Sequence, residues 1–258
     1  LLIMLAAATY QRRTGPTYPL DVTIEIAGRT VEVEMPRSGT TDAPVEVSWP
    51  QQADVERVWL VWNRYPSDDA PTRVAFGDDG TAELPIQPAA GKLEYHLLVR
   101  TPDGEERRLP PGDDRPVLRY KDPVPLGALL PHVIMMFLSM LLGVRTALAA
   151  LTGRDETRWL VPVTAIGLTL GGMILGPIVQ KYAFGAYWTG WPLGGDLTDN
   201  KTLLMWVVWA VTAIAFAVRP GLRPRWTGRA VVLVATVVML VVYLIPHSLR
   251  GSQLDYEA

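Results

Sequence analysis

Residues 121–151 read KDPVPLGALLPHVIMMFLSMLLGVRTALAAL, and the fold turns on this stretch. Lys121-Asp-Pro-Val-Pro125 closes a charged region punctuated by proline. From Pro125 to Leu151 the chain is apolar, with only His132 and Arg145 as ionisable side chains. About 20 apolar residues at roughly 1.5 Å each cross the hydrocarbon core of a bilayer, so this run is long enough to span one. Three more runs follow it: Trp159–Val179, Thr202–Val218 and Ala230–Ile245. Gly171-Gly172 and Gly176-Pro177 lie inside the second. The glycines permit close helix contact, and Pro177 predicts a kink or an early end.

Residues 20–122 follow a different rule. Val22, Ile24 and Ile26 alternate with polar neighbours, and Val31, Val33 and Met35 do the same. Further segments of period two are Val45–Trp49, Val58–Trp62, Thr72–Phe76, Ala82–Ile86, Leu93–Val99 and Val117–Tyr120. Ala27-Gly28, Arg37-Ser-Gly39, Gly77-Asp-Asp-Gly80, Ala90-Gly91 and Pro102-Asp-Gly104 supply turns between them. Seven or eight short strands in about 100 residues predict an immunoglobulin- or fibronectin-like β-sandwich, with Tyr95 placed to serve as its corner tyrosine.

The predicted fold class is therefore an α+β membrane protein. Residues 1–13 form the end of an N-terminal transmembrane anchor, with the tail of a signal peptide as the other reading. Residues 20–122 form the sandwich, 124–247 a four-helix transmembrane domain and 248–258 a tail. The mean hydropathy of +0.16 averages these unlike halves. With 24 basic and 26 acidic residues the net charge is −2, which gives no reason to expect nucleic acid as a partner. The chain has no cysteine, which excludes disulfides, thiolate metal sites, iron–sulfur clusters and covalent attachment of a c-type haem.

Basic residues set the expected orientation. Arg154 and Arg158 separate the first two runs, and Arg219, Arg223, Arg225 and Arg229 separate the last two. The positive-inside rule puts those loops in the cytoplasm, although Arg12 and Arg13 then fall outside. The sandwich, the loop 181–201 and the tail become extracytoplasmic, in a bacterial-type cytoplasmic membrane.

Loop 184–201 reads FGAYWTGWPLGGDLTDNK. His132, about two turns into the first run, and His247, at the end of the last, fall on the same face as this loop. Neutral imidazole is the usual axial ligand of haem b, and indole faces pack on a porphyrin. Lys201, Lys181 or Arg250 are placed to pair with propionates. This predicts a haem or metal site with His132 and His247 as ligands. A soft copper site of His132 with Met135, Met136 and Met140 ranks below it.

The segment Gly185-Ala-Tyr-Trp188-Thr-Gly-Trp191-Pro-Leu-Gly-Gly-Asp196-Leu-Thr-Asp199-Asn-Lys201 resembles the tryptophan-rich WWD loop of the haem-handling membrane proteins of cytochrome c maturation. In that family an external loop flanked by two histidines holds haem for delivery. The resemblance implies that Trp188, Trp191, Asp196 or Asp199, His132 and His247 face the haem, with a c-type cytochrome as a candidate partner; Tyr187 of the same loop is a further candidate contact. Gly195 stands where the family has the tryptophan of its Trp-Asp pair. The residues also admit plainer roles. Tyr182, Tyr187, Trp188 and Trp191 suit an aromatic belt, Asp196-Leu-Thr-Asp199 suits a helix N-cap, and His132 suits a hydrogen bond to a neighbouring helix. His96 falls in a strand, as a structural residue.

Two functions follow from this reading. One is an integral membrane haem-binding protein acting in electron transfer or haem handling. The other is a non-catalytic docking subunit of a larger membrane complex, in contact with lipid and with other membrane or extracytoplasmic subunits. Neither implies independent catalysis. No nucleophile elbow, phosphate-binding loop, zinc-protease helix or dinucleotide fingerprint is present.

Overall fold

A computed structural model describes residues 1–50, 55–222, 225–246, 253, 254 and 256. The chain divides into two compact units. One joins Leu1–Gly15 to Val124–Gly251, and the other joins Pro16–Pro123 to Ser252–Ala258.

The second unit is all β. Its strands are β1 (Leu20–Ile26), β2 (Arg29–Met35), β3 (Ser38–Thr40), β4 (Val45–Ser48), β5 (Arg57–Arg64), β6 (Thr72–Ala75), β7 (Thr81–Leu84), β8 (Lys92–Arg100), β9 (Glu106–Leu109) and β10 (Val117–Lys121). Six of them form a sheet in the order β3-β10-β8-β5-β6, with β9 also on β8. β5 and β8 pair antiparallel from Arg57↔Arg100 to Arg64↔Leu93. β1 and β2 form a hairpin of their own, closed by Ala27 and Gly28, both at positive φ, as a tight two-residue turn requires. β4 and β7 form a third small sheet.

Alternation decides what these strands bury. Leu93, Tyr95, Leu97 and Val99 of β8 pack in one cluster with Leu60, Leu118 and Tyr120 of the large sheet. Val22, Val31, Val33 and Met35 of the first hairpin and Val47, Ala82 and Leu84 of β4 and β7 join the same cluster. The two small sheets thus share one core with the large one.

Two strands differ from the sequence expectation. Arg37-Ser-Gly39 predicts a turn, yet Ser38–Thr40 runs parallel to β10. Gly39 is needed there, since a Cβ would lie 2.6 Å from Val45 Cγ2. β9 carries no apolar alternation and is paired by the Pro102-Asp-Gly104 hairpin instead. Tyr95 is fully buried, and its hydroxyl donates to Pro36 O at 2.7 Å. A tyrosine corner bonds backbone a few residues upstream. This tie spans 59 residues instead.

The other unit is helical: α1 (Leu2–Thr14), α2 (Leu126–Leu151), α3 (Thr157–Leu168), a π-helical turn (Thr169–Leu175), α4 (Gly176–Phe184), α5 (Leu197–Val218) and α6 (Trp226–Leu244). Among the described residues four helices are long and apolar enough to cross a membrane: α2, the continuous Thr157–Phe184, α5 and α6. Their outward faces are apolar, as in Ile134, Ile166, Val211 and Val234. This makes the chain a multi-pass membrane protein. α1 packs on α6 and α2 and buries Met4 in the common core.

Small residues and hydroxyls bring the helices together. A Cβ on Gly143 would lie 2.4 Å from Met239 Cε, and one on Gly171 3.1 Å from the Met136 backbone. The buried hydroxyls of Ser139, Thr146, Thr164, Thr212 and Thr236 each donate to a carbonyl four residues back. Thr236 also reaches Gly143 O across the bundle at 3.2 Å. The kink expected at Pro177 is a π-helical turn just before it. There the Gly176 N–H bonds Gly171 O, five residues back.

Candidate functional site

Five helix ends gather at one end of the helical unit. His132, in the first turns of α2, meets Gly171. α4 ends at Gly185, whose φ of 80° needs glycine, and a loop leads from it into α5. Lys201, in the first turn of α5, donates to Ile245 O and Pro246 O past the end of α6 at 2.6 and 3.2 Å. α1 ends at Gly15, close to Pro246.

The first turn of α5 organises the loop. Asp196 is the N-cap, accepting from Thr198 N and Asp199 N at 2.7 and 3.2 Å. Asp199 is buried. Its Oδ2 accepts from Thr189 N and Gly190 N at 2.7 and 2.9 Å and from Thr189 Oγ1 at 3.3 Å. Asn200 Oδ1 accepts from Trp191 N at 2.6 Å. Gln180 of α4 donates to Thr189 Oγ1 at 2.7 Å. Trp188 Nε1 donates to Trp191 O at 3.1 Å, just before a cis Trp191-Pro192 bond. Gly190 permits this closeness, since a Cβ there would lie 2.5 Å from Asp199 Cβ.

These contacts give several candidates partners within the fold. Asp199 and Trp188 bond the loop's own backbone, and Asp196 caps the first turn of α5. Lys201 binds the end of α6, and Lys181 donates to Gly185 O and lies under the Tyr187 ring. Tyr187 and Trp191 face outward, at 60% and 68% exposed. Leu193, which carried no sequence signal, is 78% exposed beside them. Asn200 and Gln180 were also missed. Their role depends on a loop that folds back, which spacing along the chain does not reveal.

His132 Nδ1 lies 2.9 Å from Gly171 O, the carbonyl that the π-helical turn presents to α2. When Nδ1 carries the proton, Nε2 keeps a lone pair. His247 and Arg250 lie outside the described residues. Met140 is buried in the core, Met135 packs against Gly171, and Met136 Sδ faces Gly172. His96, half-buried in β8 opposite Val61, is held well below its ordinary pKa, at about 4, by burial and by Arg108 and Arg115.

Comparison with known proteins adds nothing to this geometry: no family model, no curated protein and no solved structure matches the chain.

Proposed function

We propose that the chain is a non-catalytic subunit of a larger membrane complex. Its helices anchor it, and its apolar loop ridge and β unit dock neighbouring chains. One observation carries this reading. Asp199 and Asn200, in the first turn of α5, accept from the loop backbone at Thr189, Gly190 and Trp191, while Tyr187, Trp191 and Leu193 project outward. A loop so built presents a fixed apolar surface, which suits recognition by a partner. The bundle follows the same pattern, with its buried hydroxyls bonded to their own helices.

The arginine-bearing connections favour an orientation with α2–α3 and α5–α6 turns in the cytoplasm of a bacterial-type cell. α1 ends, α2 begins and α6 ends at the opposite end of the bundle. The β unit, read as an immunoglobulin- or fibronectin-like sandwich from its three sheets and their shared core, is then extracytoplasmic. Extraction in a mild detergent followed by native sizing tests the proposal. The expected species is much larger than the 28.4 kDa chain. A double substitution, Trp191→Ser with Leu193→Ser, releases the single chain. A wild-type protein that runs alone under the mildest extraction overturns it.

A second reading is haem b binding with electron transfer or haem delivery. The Nδ1 contact to Gly171 favours it, because a fixed tautomer leaves Nε2 for iron. The polar atoms of Asp196, Asp199 and Lys201 already have partners in the fold, and the Trp188 N–H bonds Trp191 O, which leaves its ring face for this reading. A Soret band that His132→Ala abolishes supports it, and a colourless protein from haem-replete cells removes it.

A further inference from the structure

We propose that the arginine end of the helical unit binds the phosphate-bearing headgroup of an anionic phospholipid. This inference depends on the four spans and on neither functional reading above.

A cleft of about 250 Å³ opens between the α2–α3 turn and the α5–α6 turn. Gly153, Arg154, Asp155 and Arg158 line it from one side, and Gly228 and Arg229 from the other. Arg229 bridges the two turns. A Cβ on Gly153 would lie 2.6 Å from Arg229 Nη2, so the guanidinium rests directly on that glycine, whose φ is +68°. Among the described residues none of Arg154, Arg158 and Arg229 forms an ion pair. The nearby carboxylate of Glu156 is taken by Arg145. Three guanidiniums thus face one cleft against the single carboxylate of Asp155.

Backbone adds to this field. α6 begins at Trp226 without a side-chain cap, and Gly228 of its first turn lines the cleft. The partial positive charge of that helix end augments the arginines. Guanidinium forks match phosphate oxygens in geometry and charge.

Depth selects the source of the phosphate. Trp159 and Trp226 stand in the first turns of α3 and α6, beside the cleft, at 49% and 78% exposed. Exposed indoles at the ends of spanning helices sit at the headgroup level. The cleft therefore opens where lipid phosphates are concentrated. Basic pockets between helices at that depth select anionic over zwitterionic lipids.

Native mass spectrometry of the full chain in detergent tests this, titrated separately with phosphatidylglycerol, phosphatidylcholine and inorganic phosphate. Phosphatidylglycerol is expected to bind at least tenfold more tightly than phosphatidylcholine. Replacing Arg154, Arg158 and Arg229 with glutamine removes about fivefold in affinity per guanidinium. A triple lysine variant retains preference for the anionic lipid, and Arg12→Gln with Arg13→Gln leaves it unchanged. Each variant's thermal midpoint in lipid-free detergent verifies folding. Equal binding of both lipids overturns the proposal. So does inorganic phosphate that competes at equal concentration, which points to a soluble anion, or a glutamine variant that folds and keeps the preference.

Discussion

The Asp199 carboxylate accepts the Gly190 amide at 2.9 Å, and no side chain larger than that of glycine fits between them. A buried acid placed against two consecutive amides looks, in a sequence, like an acid poised for a ligand. In the folded chain it closes a loop. The distinction matters because it moves the functional emphasis from the polar residues of the loop to its outward apolar ones.

Removing that carboxylate should loosen the loop without unfolding the bundle. Hydrogen bonds to a charged acceptor contribute about 1.5–3 kcal/mol, and the freed amides gain access to water. In Asp199→Ala, protection of the Thr189 and Gly190 amides against hydrogen exchange is expected to fall by roughly 10- to 100-fold, with the cores of α2 and α6 unchanged. Unaltered exchange at both amides would mean that the carboxylate does not hold the loop. Gly190→Ala is expected to have a similar effect, because its methyl displaces Asp199.

The Tyr95 hydroxyl offers a second test, in the β unit. It joins β8 to the chain between β2 and β3 through Pro36 O. Tyr95→Phe leaves the ring packed and removes the partner of one half-buried carbonyl, at a cost of about 1 kcal/mol. Urea unfolding of the full chain, followed through the tryptophans of β5, is expected to show a lower midpoint and an unchanged slope. A midpoint equal to that of the wild type would show that water replaces the bond.

Much of this architecture is legible in the chain because its signals are local. The four apolar runs needed only length and composition, and β1, β2, β5 and β8 only their alternation. Helix α5 starts at Leu197, five residues before its apolar run, because a cap is polar by nature. The hydrogen bonds of Asp196 match its reading as a cap, whereas the Asp199 carboxylate holds the loop backbone at Thr189 and Gly190. What escaped the sequence depends on partners far along the chain. β3 is a strand only because β10 lies beside it, and Leu193 is exposed only because Asn200 and Asp199 draw the loop inward. The two-histidine site rests on His247, outside the described residues.

The pH response of the β unit follows from His96. Its pKa falls from 6.5 to about 4 on folding, through burial first and then Arg108 and Arg115. Between these values the unfolded chain binds the proton and the folded chain does not. Stability is thus fully present above pH 6.5 and declines as pH falls towards 4. The shift sets a ceiling of about 3 kcal/mol. The ring is only half-buried, so solvent screening reduces this to about 1 kcal/mol. Urea midpoints at pH 7.5 and 4.5 are expected to differ less in His96→Gln than in the wild type. Equal differences would show that the ring titrates normally.

Close approach of α2 to α6 gives the last prediction. Gly143 faces Met239 and Trp209, and an added Cβ would lie 2.4 Å from Met239 Cε and 3.2 Å from Trp209 Cζ2. Met239 is flexible and can yield to a single methyl, whereas the fully buried Trp209 has little room to move. Gly143→Ala should therefore be tolerated within about 1 kcal/mol, and Gly143→Leu should cost about 1–3 kcal/mol through overpacking. The same helix supplies a control at Gly127, where an added Cβ meets nothing within 4 Å. Gly127→Leu is expected to leave the thermal midpoint in detergent nearly unchanged. If leucine at 143 and at 127 lower the midpoint equally, the effect comes from the loss of glycine itself, and α2 and α6 are not held by contact at Gly143.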